Sequence, residues 1–480
     1  MIVALILFIS LTFLFFYLRR HHGYLEKLPF PMEKPFLCFG SPPYNWHQLV
    51  HHFYFKDAFK RFKSKTFTRY AGACPTIVTI DPNIIKQVVI KQFHNFPKTI
   101  NADIKDKNLS LDVSHGPIWK LLRKELSPVF TSGKLKGMME PVSEIGDQFV
   151  EYIEKNNHPG KSIFIKKMFQ GLTLDIINAC AYGIKTNSRE DSSNHLLQTS
   201  QKMLETGLVS TNWGTNIFFL LFGMFPELTK FMNFFGSGYD EMIKISESII
   251  QQREKDNVQK MDFINVLIEM RKRTKDESEK SLNNDIITAQ AVIFFIAGYA
   301  TTSLSITSLI YVLATNPEVQ EKLLSEISSS ESEEYQENGY VTAVIKETLR
   351  MFPPATLHLR VCTKDTEVEG IPIKAGTIVE MPIYASHFDP EYFPEPNEFR
   401  PERFLTEGEV IPNTYRPFGD GNRVCIAYRF AMMELKILVE KIVKNFEIRP
   451  TSDTKYTHRK GCLFLIDVDD IGVELRPRNK

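Results

Sequence analysis

The chain has 480 residues, 43% apolar and 24% charged, which excludes a disordered chain, a collagen-like chain and a multi-span membrane protein. Its 58 Lys and Arg against 57 Asp and Glu leave a net charge of +1, so no global basic field is available for nucleic acid. The 37 phenylalanines imply a large aromatic core or an apolar pocket.

Residues 2–18 carry no charge. At about 1.5 Å each they would reach about 26 Å, enough for a thin bilayer core. Arg19, Arg20, His21 and His22 follow at once, and no Lys or Arg precedes the run. The positive-inside rule then puts the bulk of the chain in the cytosol. A cleaved signal peptide would want a basic start and a small-residue cleavage site, and neither is present. A single-pass anchor over 1–20 is expected, then a basic, proline-rich strap over 21–44 with Pro29, Pro31, Pro35, Pro42 and Pro43. The six cysteines form no CxxC pair, which argues against a disulfide framework or a structural zinc site and suits a cytosolic body.

Spacing of apolar residues predicts helices over 45–65 and 81–93, with a strand from Thr76 to Ile80 between them. Residues 117–180 read as helical, broken at Thr131-Ser132-Gly133, and 239–272 as a further helix. Ile217–Phe225 is too short to span and reads as an interfacial or pocket-roof segment, or equally as a core helix. A long helix runs from Asn284 to Thr315, where Asn316-Pro317 stops it. Its middle is apolar all round, as expected at the centre of a large fold. Helices over 317–328 and 341–351 follow, then short hairpin strands at 366–370 and 376–380. Residues 387–423 lack periodicity, and irregular stretches of that length are usually functional. A helix follows Cys425, with Ala431, Leu435, Leu438 and Ile442 on one face. With no repeat and no flexible linker, 45–480 is expected to be one domain, mainly α with a minor β region.

The chemistry concentrates around Cys425. It follows a loop with Gly419, Gly421 and Arg423, at the start of a helix. Glycines let the backbone pass close to something flat, a helix N-terminus favours a thiolate, and arginine offers a fork for a carboxylate. Together these suit an axial ligand to haem iron. The stretch resembles the haem-binding loop of the cytochrome P450 superfamily, Phe-x-x-Gly-x-Arg-x-Cys-x-Gly, with Phe418, Gly421, Arg423 and Cys425 matching and Ala427 replacing the last glycine. Glu347 and Arg350 resemble the family's Glu-x-x-Arg, and Arg403 the third member of its ion network. Trp119 and Arg123 resemble a Trp-x-x-x-Arg that pairs with a haem propionate, as Arg360 would. Phe130–Lys136 resembles the broad animal detoxification branch.

The resemblance implies a haem-thiolate fold, haem b (iron protoporphyrin IX) with Cys425 as its metal ligand, and a monooxygenase acting on a lipophilic small molecule. It also implies an NADPH-cytochrome reductase, cytochrome b5 as a possible second donor, and an endoplasmic reticulum membrane location; the reductase is expected over the face near Cys425, with Lys120 and Lys124 as candidate contacts. In the family's distal motif, Gly298 opens the helix and Thr301 bonds the iron-bound oxygen or a water. Ala300 stands where that motif has an acid, and alanine cannot relay a proton. The first reading is an ordinary monooxygenase that tolerates the loss, in which Ala300→Glu should raise product formed per NADPH. An isomerase, dehydratase or peroxide-using enzyme, which needs no such acid, is the second; a non-catalytic or decayed haem protein is the third. The segment at 328–341 is shorter than is usual in the family, which could loosen the following helix and haem retention.

Overall fold

The computed structural model describes residues 2–36, 40–42, 48–101, 104–158, 160–188, 190, 194–203, 224–225, 236–256, 262–275, 282–329, 339–462 and 464–478. The apolar run forms α1 (Ile2–Leu18), and Phe8, Leu11, Phe13 and Phe16 on it are exposed. Its last residue, Leu18, is buried against Ala73 and Met224, so this end of the helix is docked on the body. The strap is docked as well. Tyr24 is buried and its hydroxyl donates to the Pro372 carbonyl at 2.9 Å, while Met32 bridges to Thr68.

α2 (His51–Phe62) lies within the expected first helix, and 43–47 fall outside the described residues. The expected strand is β2 (Cys74–Thr79), paired antiparallel with an unforeseen β1 (Thr66–Ala71). β1 escapes a pattern search because Thr66, Thr68 and Arg69 are buried along with its apolar residues. α3 (Pro82–Lys86) is capped by Asp81, whose carboxylate accepts the Asn83 N–H at 2.8 Å, and runs into a π turn at Gln87–Lys91. α4 (Gly116–Leu126) and α5 (Ser132–Asn156) are separated at Thr131, as expected, although Ser132 and Gly133 belong to α5. β3 (Ile163–Phe164), α6 (Ile165–Ile177) and α7 (His195–Met203) follow. Of Ile217–Phe225 only Met224 and Phe225 are among the described residues. The helix expected over 239–272 is described as α8 (Gly236–Lys255) and α9 (Phe263–Lys275).

α10 (Asn284–Thr315) has the predicted bounds, and the Asn283 side chain caps it by accepting the Ile286 N–H at 2.9 Å. It is long and apolar enough to cross a membrane, but 72% of its most apolar window is buried inside the protein. It packs against α6, α9 and the last helix, and so forms the centre of the fold. α11 (Pro317–Ser329) and α12 (Tyr340–Met351) follow, and 330–338 lie outside the described residues. The Glu326 carboxylate of α11 accepts the N–H groups of Tyr340 and Val341 at 3.0 and 3.2 Å. The first turn of α12 is therefore capped from the preceding helix.

The β region comprises β4 (Leu357–Val361), β5 (Thr366–Val368), β6 (Ile371–Ile373) and β7 (Ile378–Pro382). β1, β2, β7 and β4 make one four-stranded sheet in that order, with β2 and β7 parallel. α13 (Ile383–His387) leads into the irregular stretch, and α14 (Tyr428–Asn445) leaves it. β8 (Phe446–Pro450) and β9 (Gly472–Pro477) complete a second sheet with β3.

Candidate active site

One wall of the site is α12. Glu347 and Arg350 sit three residues apart, both fully buried, with N–O distances of 2.8 and 2.9 Å. The remaining Arg350 donors reach the carbonyls of His387 and Pro396 at 2.9 Å and Glu398 at 3.1 Å. Arg403 closes the network on Glu347 at 3.0 Å. His387 Nε2 accepts the Arg416 N–H at 2.9 Å, which assigns the proton to Nδ1 and a bond to the Arg350 carbonyl at 3.0 Å. This ion cluster fixes the long loop that ends at Cys425.

The loop borders a cavity of about 530 Å³. Cys425, Phe418, Arg423, Trp119, Arg123, Arg360, Gly298 and Thr301 all line it, whereas Gly421 and Ala300 do not. The Cys425 N–H donates to the Phe418 carbonyl at 2.8 Å, so the loop folds back on itself and turns the thiol into the cavity. α14 starts at Tyr428, three residues beyond the cysteine, and so does not begin at it. The Ala427 N–H and Arg123 favour a thiolate, but burial outweighs them and pushes the Cys425 thiol up. Gly421, at φ +64°, is required for a reason other than the one expected. A Cβ there would stand 2.2 Å from the Val89 carbonyl oxygen, so it lets the loop pass the π turn behind it. Gly419, at φ +81°, is the loop glycine that lines the cavity.

The same wall gathers cations in excess of anions: Asp112 lines the cavity with them and attracts Arg423, and Asp420 attracts Arg416. Among the described residues, no carboxylate makes an ion pair with Arg123, Arg360, Arg416 or Arg423. Arg360 is buried and its Nε has no partner. Arg416 is buried with all three guanidinium nitrogens unpartnered. Burial and the mutual repulsion of Arg360, Arg416 and Arg423 push Arg360 down to about 9, and burial brings Arg416 and Arg423 down to about 10. His358, on the same wall, is held well below its usual range by burial and by Arg416 and Arg360. Arg423 donates to the Pro97 and Ser114 carbonyls at 2.6 Å and lies 4.7 Å from the Trp119 ring, which leaves its Nε free. Arg123 donates to the Val424 carbonyl at 3.0 Å. Buried guanidinium groups without partners beside a thiol fit a flat group that carries carboxylates and a metal ion.

A family model described as Cytochrome P450 matches residues 30–468. The chain belongs to this family. Cytochrome P450 3A29 of Sus scrofa is 32% identical over 466 residues, covering 93% of this chain and 90% of the relative. Cytochrome P450 3A5 of Homo sapiens is 31% identical over 470 residues, covering 94% and 91%. Lithocholate 6-beta-hydroxylase of Mesocricetus auratus is 33% identical over 470 residues, covering 94% and 91%. The chain is thus an enzyme of the monooxygenase family whose cofactor is a haem with a thiolate ligand, and the cation wall and the loop fit that group.

As a cytochrome P450, the chain presents α10 across the cavity from Cys425. Ala297, Gly298, Thr301 and Thr302 line that side. The helix is continuous through this stretch. A Cβ on Gly298 would stand 2.6 Å from Ile177 Cδ1, so its small size serves packing against α6, and no opened turn is present. The Thr301 hydroxyl donates to the Ala297 carbonyl at 2.6 Å. Sequence reasoning passed over Arg416 and His358, because only the fold brings them beside Arg360.

Proposed function

We propose that the chain is a membrane-anchored monooxygenase that inserts one atom of dioxygen into a lipophilic xenobiotic, fatty acid or steroid-like molecule. Electrons would come from NADPH through a cytochrome P450 reductase, with cytochrome b5 as a second donor. The carrying observation is that the Cys425 thiol, Arg360 and Arg423, each with an unpartnered Nε, and Thr301 share one largely apolar cavity. When bound, haem supplies oxygen activation, with the Cys425 sulfur as its iron ligand.

The chain's residues do the rest. Trp119, Arg123, Arg360 and Arg423 hold the carboxylates of the cofactor. Phe418, through its carbonyl, and Gly421, through the passage past Val89, fix the loop that aims Cys425. Leu111, Val113, Phe263 and Phe294 exclude bulk water and favour an apolar substrate. The relative named for lithocholate supports a steroid-like molecule within that class. Lys120 and Lys124 are exposed on α4, on the side of Arg123, and form the cationic edge for the reductase. α1, with its exposed phenylalanines and the basic residues that follow, supports residence in the endoplasmic reticulum membrane with the body in the cytosol.

The test is the absorption spectrum of the reduced, carbon monoxide-bound protein, together with NADPH-driven product formation with reductase. A strongly red-shifted Soret band and oxygenated product are expected, both lost in Cys425→Ser. A thiolate spectrum with turnover that needs no reductase would favour the isomerase or peroxide-using reading that Ala300 motivates.

A further inference from the structure

Ala300 faces away from the large cavity and into a second one of about 30 Å³. Thr301 and Pro354 line both cavities and so separate them. The small cavity exceeds the roughly 10–15 Å³ that one water needs. A longer side chain at position 300 would enter it. Its far wall is formed by Asp467 and Lys166. The segment carrying Asp467 is pinned to the residues after α12: Ile466 N–H donates to the Pro354 carbonyl at 2.8 Å, and Thr356 N–H to the Phe464 carbonyl at 3.0 Å. The Asp467 carboxylate pairs with Lys166 at 2.6 Å and Arg459 at 3.2 Å. Lys166 also donates to the Val468 carbonyl at 2.5 Å, and Arg459 is half exposed, so the group reaches solvent. The Thr301 hydroxyl spends its proton on the Ala297 carbonyl and keeps its lone pairs for a donor.

We propose that Lys166, oriented by Asp467 and acting through a water in the small cavity, delivers protons to Thr301 in place of the acid missing at position 300. The inference rests on the monooxygenase reading above. The Thr301 hydroxyl first turns its proton from the Ala297 carbonyl to the large cavity; in one concerted shift a water proton then moves to Thr301 Oγ1 and the hydroxyl proton passes to an acceptor oxygen in the large cavity. The Lys166 ammonium replaces the water's proton, and solvent reprotonates the amine. One proton enters, one leaves, and no electron moves. Lys166 is the donor and Asp467 is a positioning residue.

The experiment uses the full-length, haem-loaded enzyme with reductase. Asp467→Asn should lower product per NADPH by about tenfold, less than the ~100-fold or more typical of a general acid, because water also carries protons. Lys166→Gln should do the same, and Asp467→Glu should restore most of it. With the relay in place the rise expected from the sequence alone does not follow: Ala300→Glu should change the ratio by less than about twofold alone but rescue it in Asp467→Asn, because both carboxylates serve one cavity. A readout independent of turnover is thermal unfolding. Ala300→Glu sets two carboxylates side by side and should lower the melting temperature, and it should do so less in Asp467→Asn. A crystal structure should show a water between Lys166 and Thr301, displaced in Ala300→Glu. An unchanged ratio in Asp467→Asn and Lys166→Gln, with a coupled wild type, overturns the relay alone, as do additive melting shifts. A wild type without the thiolate spectrum or reductase-driven product overturns the monooxygenase reading and the relay with it.

Discussion

Two clusters of buried charge lie on either side of the loop that carries Cys425, and they are built differently. Around Glu347 the charges are largely closed within the protein, with Arg403 Nη2 the one guanidinium nitrogen left without a partner. One carboxylate serves Arg350 and Arg403, and Arg350 spends its other donors on three carbonyls. Around Arg360 the charges are open. Arg360, Arg416 and Arg423 repel one another, and five guanidinium nitrogens among them have no partner. Asp420 attracts Arg416 and Asp112 attracts Arg423, neither in ion-pair contact, and Arg360 has no such acid. Buried cations in excess of anions cost several kcal/mol, so this side of the loop leaves counter-charge for something that binds. The closed cluster is architecture and the open one is a binding site.

The sharpest way to break this comparison is to open the closed cluster. Glu347→Gln leaves two buried guanidinium groups facing a neutral amide. A loss of about 3–5 kcal/mol is expected, read as a lower denaturation midpoint whether or not haem is bound. A loss confined to the haem-bound form would place Glu347 with the binding site instead.

Much of this was legible in the sequence, and the rest was hidden for physical reasons. α10 was legible because its apolar centre and its stop at Asn316-Pro317 are local signals. Cys425, Arg123, Arg360 and Trp119 were legible through the resemblance, and the fold brings all four to one cavity. The role of Gly421 was misread because the carbonyl it avoids belongs to Val89, more than three hundred residues earlier in the chain. Arg416 and Asp467 carry no local signal, since their meaning depends on what is absent near one and on what faces the other across the fold. β1 was missed because threonine and arginine occupy buried strand positions, and neither alternation nor an apolar run survives that mixture.

A lone buried acid sharpens the comparison from the other sign. Glu434 on α14 is buried, and burial alone pushes its carboxyl up to about 8 from a usual 4.5. An acid can shed its charge by keeping a proton, whereas a buried arginine stays cationic at neutral pH. Below about pH 4.5 both the folded and the unfolded chain hold this proton, so Glu434 costs nothing. Above it the unfolded chain ionises while the folded chain does not, and stability falls up to about pH 8. Glu434→Gln should therefore be more stable than the wild type by on the order of 3 kcal/mol at neutral pH, and by little at pH 4. Thermal unfolding at several pH values checks this, and an advantage independent of pH would mean that Glu434 has a partner.

The smallest effect is also the one that separates the clusters by sign. Arg360→Leu removes one of three repelling cations from the open cluster. In the haem-free protein this relieves repulsion and desolvation, so stability should be unchanged or raised. In the loaded protein it deletes a charge-assisted hydrogen bond to the cofactor, worth about 1.5–3 kcal/mol, or roughly a 10- to 100-fold weaker hold. Haem transfer to a scavenger protein measures the second quantity and denaturation of the haem-free chain measures the first. Opposite signs in the two forms are expected, because a group that strains the empty fold and secures the full one belongs to a binding site. Equal losses in both would mean that Arg360 is structural, like Arg350, and that the two clusters are of one kind.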